Sequence, residues 1–330
     1  MGIAMAMEDS LAASTPILPT ECALCPRACG ADRAAGERGF CGAGDSLDVA
    51  RAALHFWEEP PLSGERGSGA VFFANCPLRC SYCQNATIAA GRVGKAVSVE
   101  HLADMFLDLQ MQRALNINLV TPTHYAPQVR EAIRLARLKG LVLPVVWNTS
   151  GYETVDAIRA NADAVDVYLT DFKYAGSATA SRYSHAPDYP AIALAALDEM
   201  LAQKGVPVFD EVEGMPRLVS GVVVRHLMLP DALDESMRVV RLVHERYGSA
   251  VLLSLMNQYT SVLAGAAAAG DEGARSVLRQ CPELARTVSG EDYERLLDYA
   301  DSLGLDDYFW QQGQTAAESF IPSFDLTGVR

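Results

Sequence analysis

Gly69-Ala-Val-Phe-Phe-Ala-Asn-Cys76-Pro-Leu-Arg-Cys80-Ser-Tyr-Cys83-Gln-Asn85 is the stretch from which the fold is read. Residues 69 to 75 carry no charge and combine Val with two Phe, the composition of a strand buried on both faces. Three thiols follow at once, in the spacing C-x₃-C-x₂-C. No fourth Cys or His stands near them in sequence, whereas structural zinc asks for a closed shell of four ligands. A four-iron cluster held by three thiolates keeps one iron open for a substrate. A chance grouping, or a zinc site completed from afar, is the competing explanation. The thiols would lie in the loop at the strand's C-terminal end, where α/β barrels gather their chemistry.

Downstream, the pattern alternates between helix and strand. Ser98 can cap a helix whose apolar positions Leu102, Met105, Phe106 and Leu109 recur at helical spacing. Ile117 to Thr121 reads as a strand, and Pro127 suits the first turn of a helix through about Lys139. Val142 to Trp147 is strand-like despite Pro144, which disfavours a strand interior. A helix around Glu153 to Ala160 leads to a strand over Val165 to Thr170, and Tyr189 to Lys204 is helical by composition. Gly221 to Leu229 is a strand, Leu233 to Tyr247 a helix, and Ala250 to Leu255 a sixth strand. Six strands separated by helices predict a parallel sheet. Residues 261–275, rich in Ala and Gly, read as a weakly amphipathic helix or a mobile connection. Residues 290–303 are helical, with Ser289 and Asp292 at the start.

The 330 residues allow two domains or one barrel-like domain with extensions. A chain of this length buries enough surface to need no disulfides. Acidic residues outnumber basic ones, 41 to 27, so a general grip on nucleic acid or anionic lipid is not expected. No apolar run reaches the roughly 18 residues of a membrane span. The opening Met-Gly-Ile-Ala-Met-Ala-Met-Glu8-Asp9 lacks the basic start of a signal peptide and the Ser or Thr of a myristoylation motif. The expected location is the cytoplasm.

Seven of the eight cysteines fall in the first 83 residues. In a reducing compartment, such clustering points to metal more than to disulfides. Cys22, Cys25, Cys29 and Cys41 form a separate C-x₂-C-x₃-C-x₁₁-C group, with Pro26, Gly30, Gly36 and Gly39 supplying turns. Zinc, a second iron–sulfur cluster and bare reduced thiols all remain open for it. Arg27 and Arg33 add positive charge that favours thiolates. Cys281 stands alone and reads as a structural thiol.

The segment from Phe72 to Asn85 resembles the radical S-adenosylmethionine (radical SAM) superfamily. More narrowly, the chain is similar to homologues of the pyruvate formate-lyase activating enzyme. Four further segments carry that likeness: Cys22 to Arg33, Asn116 to His124, Arg225 to Pro230 and Ile321 to Val329. The resemblance implies a partial (βα)₆ barrel over residues 67–260. A Cys-rich extension over 1–66 would precede it, and a helical C-terminal extension over 261–330 would pack on it. It implies a [4Fe-4S] cluster on Cys76, Cys80 and Cys83, with S-adenosylmethionine on the fourth iron and a low-potential electron donor as partner. Iron–sulfur potentials reach about −700 mV, low enough to drive an electron onto a sulfonium.

The resemblance also nominates residues for holding that cofactor. Tyr82 occupies the place of an aromatic that packs near the adenine. Thr121, Thr123 and His124 stand where many relatives carry a Gly-Gly-Glu segment for the methionine amino group, which this chain lacks. Asn148 offers a short hydrogen-bonding group at the end of the third strand. Asp171 and Lys173 correspond to an Asp-Leu-Lys segment of activating enzymes, here with Phe172 between them, and they point the same way on an extended chain. Of Arg225 and His226, alternation turns one inward, and Arg225 is favoured because a guanidinium pairs well with carboxylate.

These features predict a radical SAM oxidoreductase that abstracts hydrogen, with a glycyl-radical enzyme as candidate partner. A small molecule or another peptide is the alternative substrate. A non-catalytic iron–sulfur or zinc scaffold is the rival from a different class, and the intact C-x₃-C-x₂-C weighs against it, because a scaffold has no need of an open iron.

Overall fold

The computed structural model of the chain describes residues 16–311 and 321–329. The sequence features at residues 1–15 lie outside the described residues. Ten strands are present among those described: β1 (Leu47–His55), β2 (Ser68–Phe73), β3 (Lys95–Val97), β4 (Ile117–Val120), β5 (Val145–Thr149), β6 (Val167–Asp171), β7 (Val208–Val212), β8 (Met215–Leu227), β9 (Leu252–Met256) and β10 (Tyr308–Trp310). They form one open sheet in the order β3-β1-β2-β4-β5-β6-β8-β9-β10, with β7 paired to β8. All six expected strands are there, in sequence order and mutually parallel from β2 to β9. This is a mixed α/β fold with a mostly parallel sheet, consistent with a partial barrel.

Four strands were not read from the sequence. β1 runs antiparallel to β2 and β3, within the segment expected to be a Cys-rich extension. β7 forms an antiparallel hairpin with β8. β10 lies parallel to β9, so the C-terminal segment adds a strand to the sheet as well as helices.

Local chemistry sets the helix boundaries. Ser98 Oγ accepts the His101 amide at 3.1 Å, and Ser289 Oγ accepts that of Asp292 at 3.3 Å, both as the sequence suggested. Leu102, Phe106 and Leu109 of the first of these helices are buried, as are Val129 and Ile133 of the Ala126–Leu138 helix packed beside it. Every residue of β2 is buried, as befits a strand covered on both faces. Residues 261–275 form neither one weak helix nor a loose connection. Two helices, Val262–Ala268 and Glu272–Gln280, are separated by Gly270 at φ +100° and restarted by the Asp271 cap.

The end of the chain is strapped onto β1. Ala52 donates its amide to the Thr327 carbonyl at 2.9 Å, and Arg51 reaches Asp325 at 3.0 Å. Gly328, at φ +74°, approaches so closely that a Cβ there would lie 1.9 Å from the Ala52 oxygen. Phe324 lies edge-on against Phe72 of β2.

Candidate functional site

The strand ends gather around one cavity of about 480 Å³, a size typical of small-ligand sites. Its wall is built from β2, β4, β5, β6, β8, β9 and β10 through Phe72, Val120, Asn148, Asp171, Arg225, Ser254 and Phe309. Cys80, Tyr82 and Cys83 reach it from the loop after β2, and residues 55–60 reach it from the turn between β1 and β2.

The Cys76–Cys83 loop is braced from several sides. Asn75 and Arg79 take left-handed conformations, φ +73° and +55°. Asn75 Nδ2 donates to the Tyr125 hydroxyl at 3.0 Å. Arg27 donates to the carbonyls of Pro77 and Leu78 on one side and of Ser184 and His185 on the other. The N-terminal Cys-rich segment thereby anchors the loop. Ser184 Oγ donates to Cys80 Sγ at 3.1 Å. Burial raises the Cys76 thiol, and Cys80 beside it raises it further; burial likewise raises Cys83, pushed up by both neighbouring thiols to about 12. Among the described residues, no three His, Cys, Asp or Glu are gathered closely enough for a single metal ion. A four-iron cluster spreads its thiolates over a wider triangle, and three soft sulfur donors on one braced loop beside a polar cavity fit one.

The polar wall centres on Arg225. Its Nε donates to Asp171 at 3.2 Å, its Nη1 to Glu58 at 3.0 Å and its Nη2 to Asn148 Oδ1 at 2.6 Å. Lys173 Nζ meets the other Asp171 oxygen at 2.5 Å. Burial would raise the Asp171 carboxyl, but the Lys173 and Arg225 cations overcome it and hold that group below the usual range. Burial raises Glu58, and Arg225 offsets only part of this. The structure therefore brings Asn148, Asp171, Lys173 and Arg225 together on one wall of the cavity. His226 faces away, held between the Phe172 carbonyl and Ser236 Oγ at 2.9 Å each.

Tyr82 is buried at the edge of the cavity. Its hydroxyl accepts from Tyr174 at 3.0 Å, and its ring meets Tyr174, Tyr183 and Tyr259 edge-on. This tyrosine cluster behind the cysteine loop was not read from the sequence. Glu58 and Glu59 were also missed. They sit in a turn ahead of the cysteine motif, and only the strand pairing of β1 folds that turn under the sheet.

Thr121, Thr123 and His124 are not brought to the cavity. Thr121 takes φ +58°, and a short turn over Thr123–Tyr125 redirects the chain. His124 is buried, with Nε2 2.8 Å from the Ala74 carbonyl, and burial lowers its pKa to about 3. Thr123 and Thr149 both donate to Glu153 Oε1 instead. Burial raises the Glu153 carboxyl to about 7, and the two hydroxyls only partly offset this. A carboxyl with a raised folded pKa stabilises the protein below its unfolded pKa of about 4.5, and that stability is lost as pH rises through about 7. Glu153→Gln carries no such charge. Its thermal stability relative to wild type should therefore improve between pH 4.5 and 7, by a total of about 3 kcal/mol, and level off above. Melting curves across that range test this, and a flat difference contradicts it.

Cys22, Cys25 and Cys41 are buried and Cys29 is exposed, and all eight cysteines are free. Burial pushes Cys25 up to about 12 and raises Cys41. No single-ion ligand set is assembled there among the described residues, so the zinc alternative gains no support; a second cluster gains none from the family match reported below. Cys281 is buried against Arg182, whose Nε lies 3.4 Å from its sulfur.

No helix among the described residues is long and apolar enough to cross a membrane.

Comparison with known proteins gives the following. The family model described as the radical SAM superfamily matches residues 70–243, more than half of the chain. An uncharacterized protein of Methanocaldococcus jannaschii is 26% identical over 294 residues, covering 86% of this chain and 75% of the relative. A radical SAM methyltransferase from Sphaerobacter thermophilus superposes with a TM-score of 0.46 at 13% identity, over 72% of this chain and 64% of that one. SuiB of Streptococcus suis, solved with its precursor peptide SuiA, superposes with a TM-score of 0.47 at 11% identity, over 72% of this chain and 46% of that one. The chain spans less than two thirds of either solved structure.

Proposed function

The chain belongs to the radical SAM superfamily, and from that premise we propose that it is an oxidoreductase abstracting hydrogen from a substrate held in the cavity beside Cys80 and Cys83. When bound, a reduced [4Fe-4S] cluster and S-adenosylmethionine supply the 5′-deoxyadenosyl radical for that chemistry. Cys76, Cys80 and Cys83 would hold the cluster. The observation that carries the reading is the meeting of Cys80 and Cys83, two of these thiols, with one polar wall, Asn148, Asp171, Lys173 and Arg225, at a single cavity.

These residues have distinct tasks. Arg225 and Lys173 present cations to the cofactor carboxylate, and Asp171 orients both. Asn148 fixes the guanidinium from the side. Tyr82 offers a ring to the adenine. Thr121, Thr123 and His124 brace the sheet end, with no direct part in holding the cofactor. Activation of a glycyl-radical enzyme is the finer reading, and its support is the likeness of the four segments outside the cysteine motif. A small-molecule or peptide substrate is the second reading, favoured by a cavity of ligand size.

Lys173→Ala should weaken cofactor binding tenfold to a hundredfold, the loss of about 1.5–3 kcal/mol expected for one charge-assisted contact. The cluster spectrum should stay intact. Asp171→Ala should weaken binding too, by releasing the two cations it orients. Titrating S-adenosylmethionine into each reconstituted variant, and following the electron paramagnetic resonance signal, tests this. Unchanged affinity in both removes the segment from the cofactor site.

A further inference from the structure

The cavity wall holds one acid too many. Its charged lining residues are Glu58, Glu59, Asp171, Lys173 and Arg225, three carboxyls against two cations. Asp171 is paired with both Lys173 and Arg225, and Glu58 is paired with Arg225. Glu59 has no ion pair among the described residues. It is only 7% exposed, and its Oε2 is buried with no hydrogen-bond partner. His55 beside it is no counter-ion, since burial lowers its pKa to about 4. A buried carboxyl oxygen left without a donor is costly, and such groups in native sites call for an explanation.

Resting on the radical SAM reading above, we infer that Glu59 is the acceptor for a protonated amine or guanidinium carried by the substrate. A ligand filling this cavity covers the free oxygen. An anionic group there would meet a like charge, and an apolar group would strand the carboxyl. An ammonium or guanidinium supplies both the donor and the missing positive charge. The surroundings suit such a group. Phe72, Phe309 and Trp310 line the same cavity, and aromatic faces attract organic cations.

Position separates this acceptor from the cofactor's own amino group. Glu59 follows β1, whose last residue, His55, pairs with Ser68 at the start of β2. Cys76 follows the other end of β2, eight residues beyond Ser68, and the six-residue strand alone spans roughly 17 Å. The acid thus enters the cavity from the end opposite the cluster loop and lies on the Arg225 side of the wall. Burial favours the neutral carboxyl when the cavity holds no cation, with Arg225 opposing it. An arriving ammonium would restore the charge and make the contact selective.

The test is equilibrium dialysis of the reconstituted, unreduced protein at saturating labelled S-adenosylmethionine. The probes are Nα-acetyl-lysine methylamide and its neutral Nε-acetylated form, with a pentapeptide bearing one central lysine as a second pair. Wild type should bind the charged member of at least one pair tenfold or more tighter than its neutral counterpart. Binding of the single residue marks a small amine as sufficient, and binding of the pentapeptide alone marks a peptide. Glu59→Gln should bring the ratio close to one, and Glu59→Asp should keep most of it. Equal affinities in wild type overturn the inference without needing any variant, as does a preference that survives Glu59→Gln. Displacement of the labelled cofactor by the amine also overturns it, because the acceptor would then serve the cofactor. The labelled cofactor reports the radical SAM reading separately: if it fails to bind, that reading fails, whereas cofactor bound with no amine preference removes this inference alone.

Discussion

Replacing Cys76, Cys80 and Cys83 together by Ala should lower the iron bound after anaerobic reconstitution to background and abolish 5′-deoxyadenosine formation. The expected effect is total because three thiolates are the whole protein ligand set for this kind of cluster. Among the described residues the other thiols lie in other segments: Cys22, Cys25, Cys29 and Cys41 in the N-terminal group, and Cys281 against Arg182. Folding should survive, since the loop is braced through groups other than the sulfurs: Asn75 to Tyr125, Arg27 to the Pro77 and Leu78 carbonyls, and Ser81 to Tyr183. Circular dichroism should match wild type while the visible absorption disappears. Retained iron with cofactor cleavage in the triple variant contradicts the assignment.

Arg225→Ala should be the most damaging single change in the cavity wall. The guanidinium serves Asp171, Glu58 and Asn148 at once. Its loss strands Glu58, whose ion pair it supplies, and leaves Asp171 with Lys173 alone; breaking a buried pair from one side costs about 3–5 kcal/mol. Lys at this position cannot restore three directed contacts, since an ammonium lacks the planar fork. The deficit should shrink as pH falls from 7 to 5, because the Glu58 carboxyl, raised by burial and then without Arg225 to offset it, stabilises the protein when protonated. Denaturant unfolding of wild type, Arg225→Ala and Arg225→Lys at both pH values measures this. A loss under 1 kcal/mol would show that the network carries little of the stability.

Much of this architecture was legible from sequence because burial writes itself into composition. The run from Gly69 to Asn75 had to be a covered strand, and the alternation after it fixed the parallel order. Asp171 and Lys173 could be placed together because residues two apart share a face of an extended chain. Three features were hidden for physical reasons. β7 is largely exposed, so it carries no inward–outward alternation. β10 is three residues long and exists by pairing with β9. Glu58 and Glu59 enter the cavity only through the antiparallel return of β1 onto β2, a long-range pairing that no local pattern announces. At Thr121 to His124 the sequence pointed to the correct strand end. The left-handed turn at Thr121 then directs Thr123 to Glu153 and His124 to the Ala74 carbonyl.

The central claim is that the thiol loop and the polar wall form one site for reductive cleavage of S-adenosylmethionine. It is tested most directly by reconstituting the wild-type protein anaerobically with iron and sulfide, adding S-adenosylmethionine and a low-potential reductant, and quantifying 5′-deoxyadenosine by chromatography. The account predicts reductant-dependent formation of 5′-deoxyadenosine and methionine in equal amounts, lost in the triple cysteine variant. A fully loaded cluster that binds S-adenosylmethionine yet releases no 5′-deoxyadenosine under reduction would contradict it.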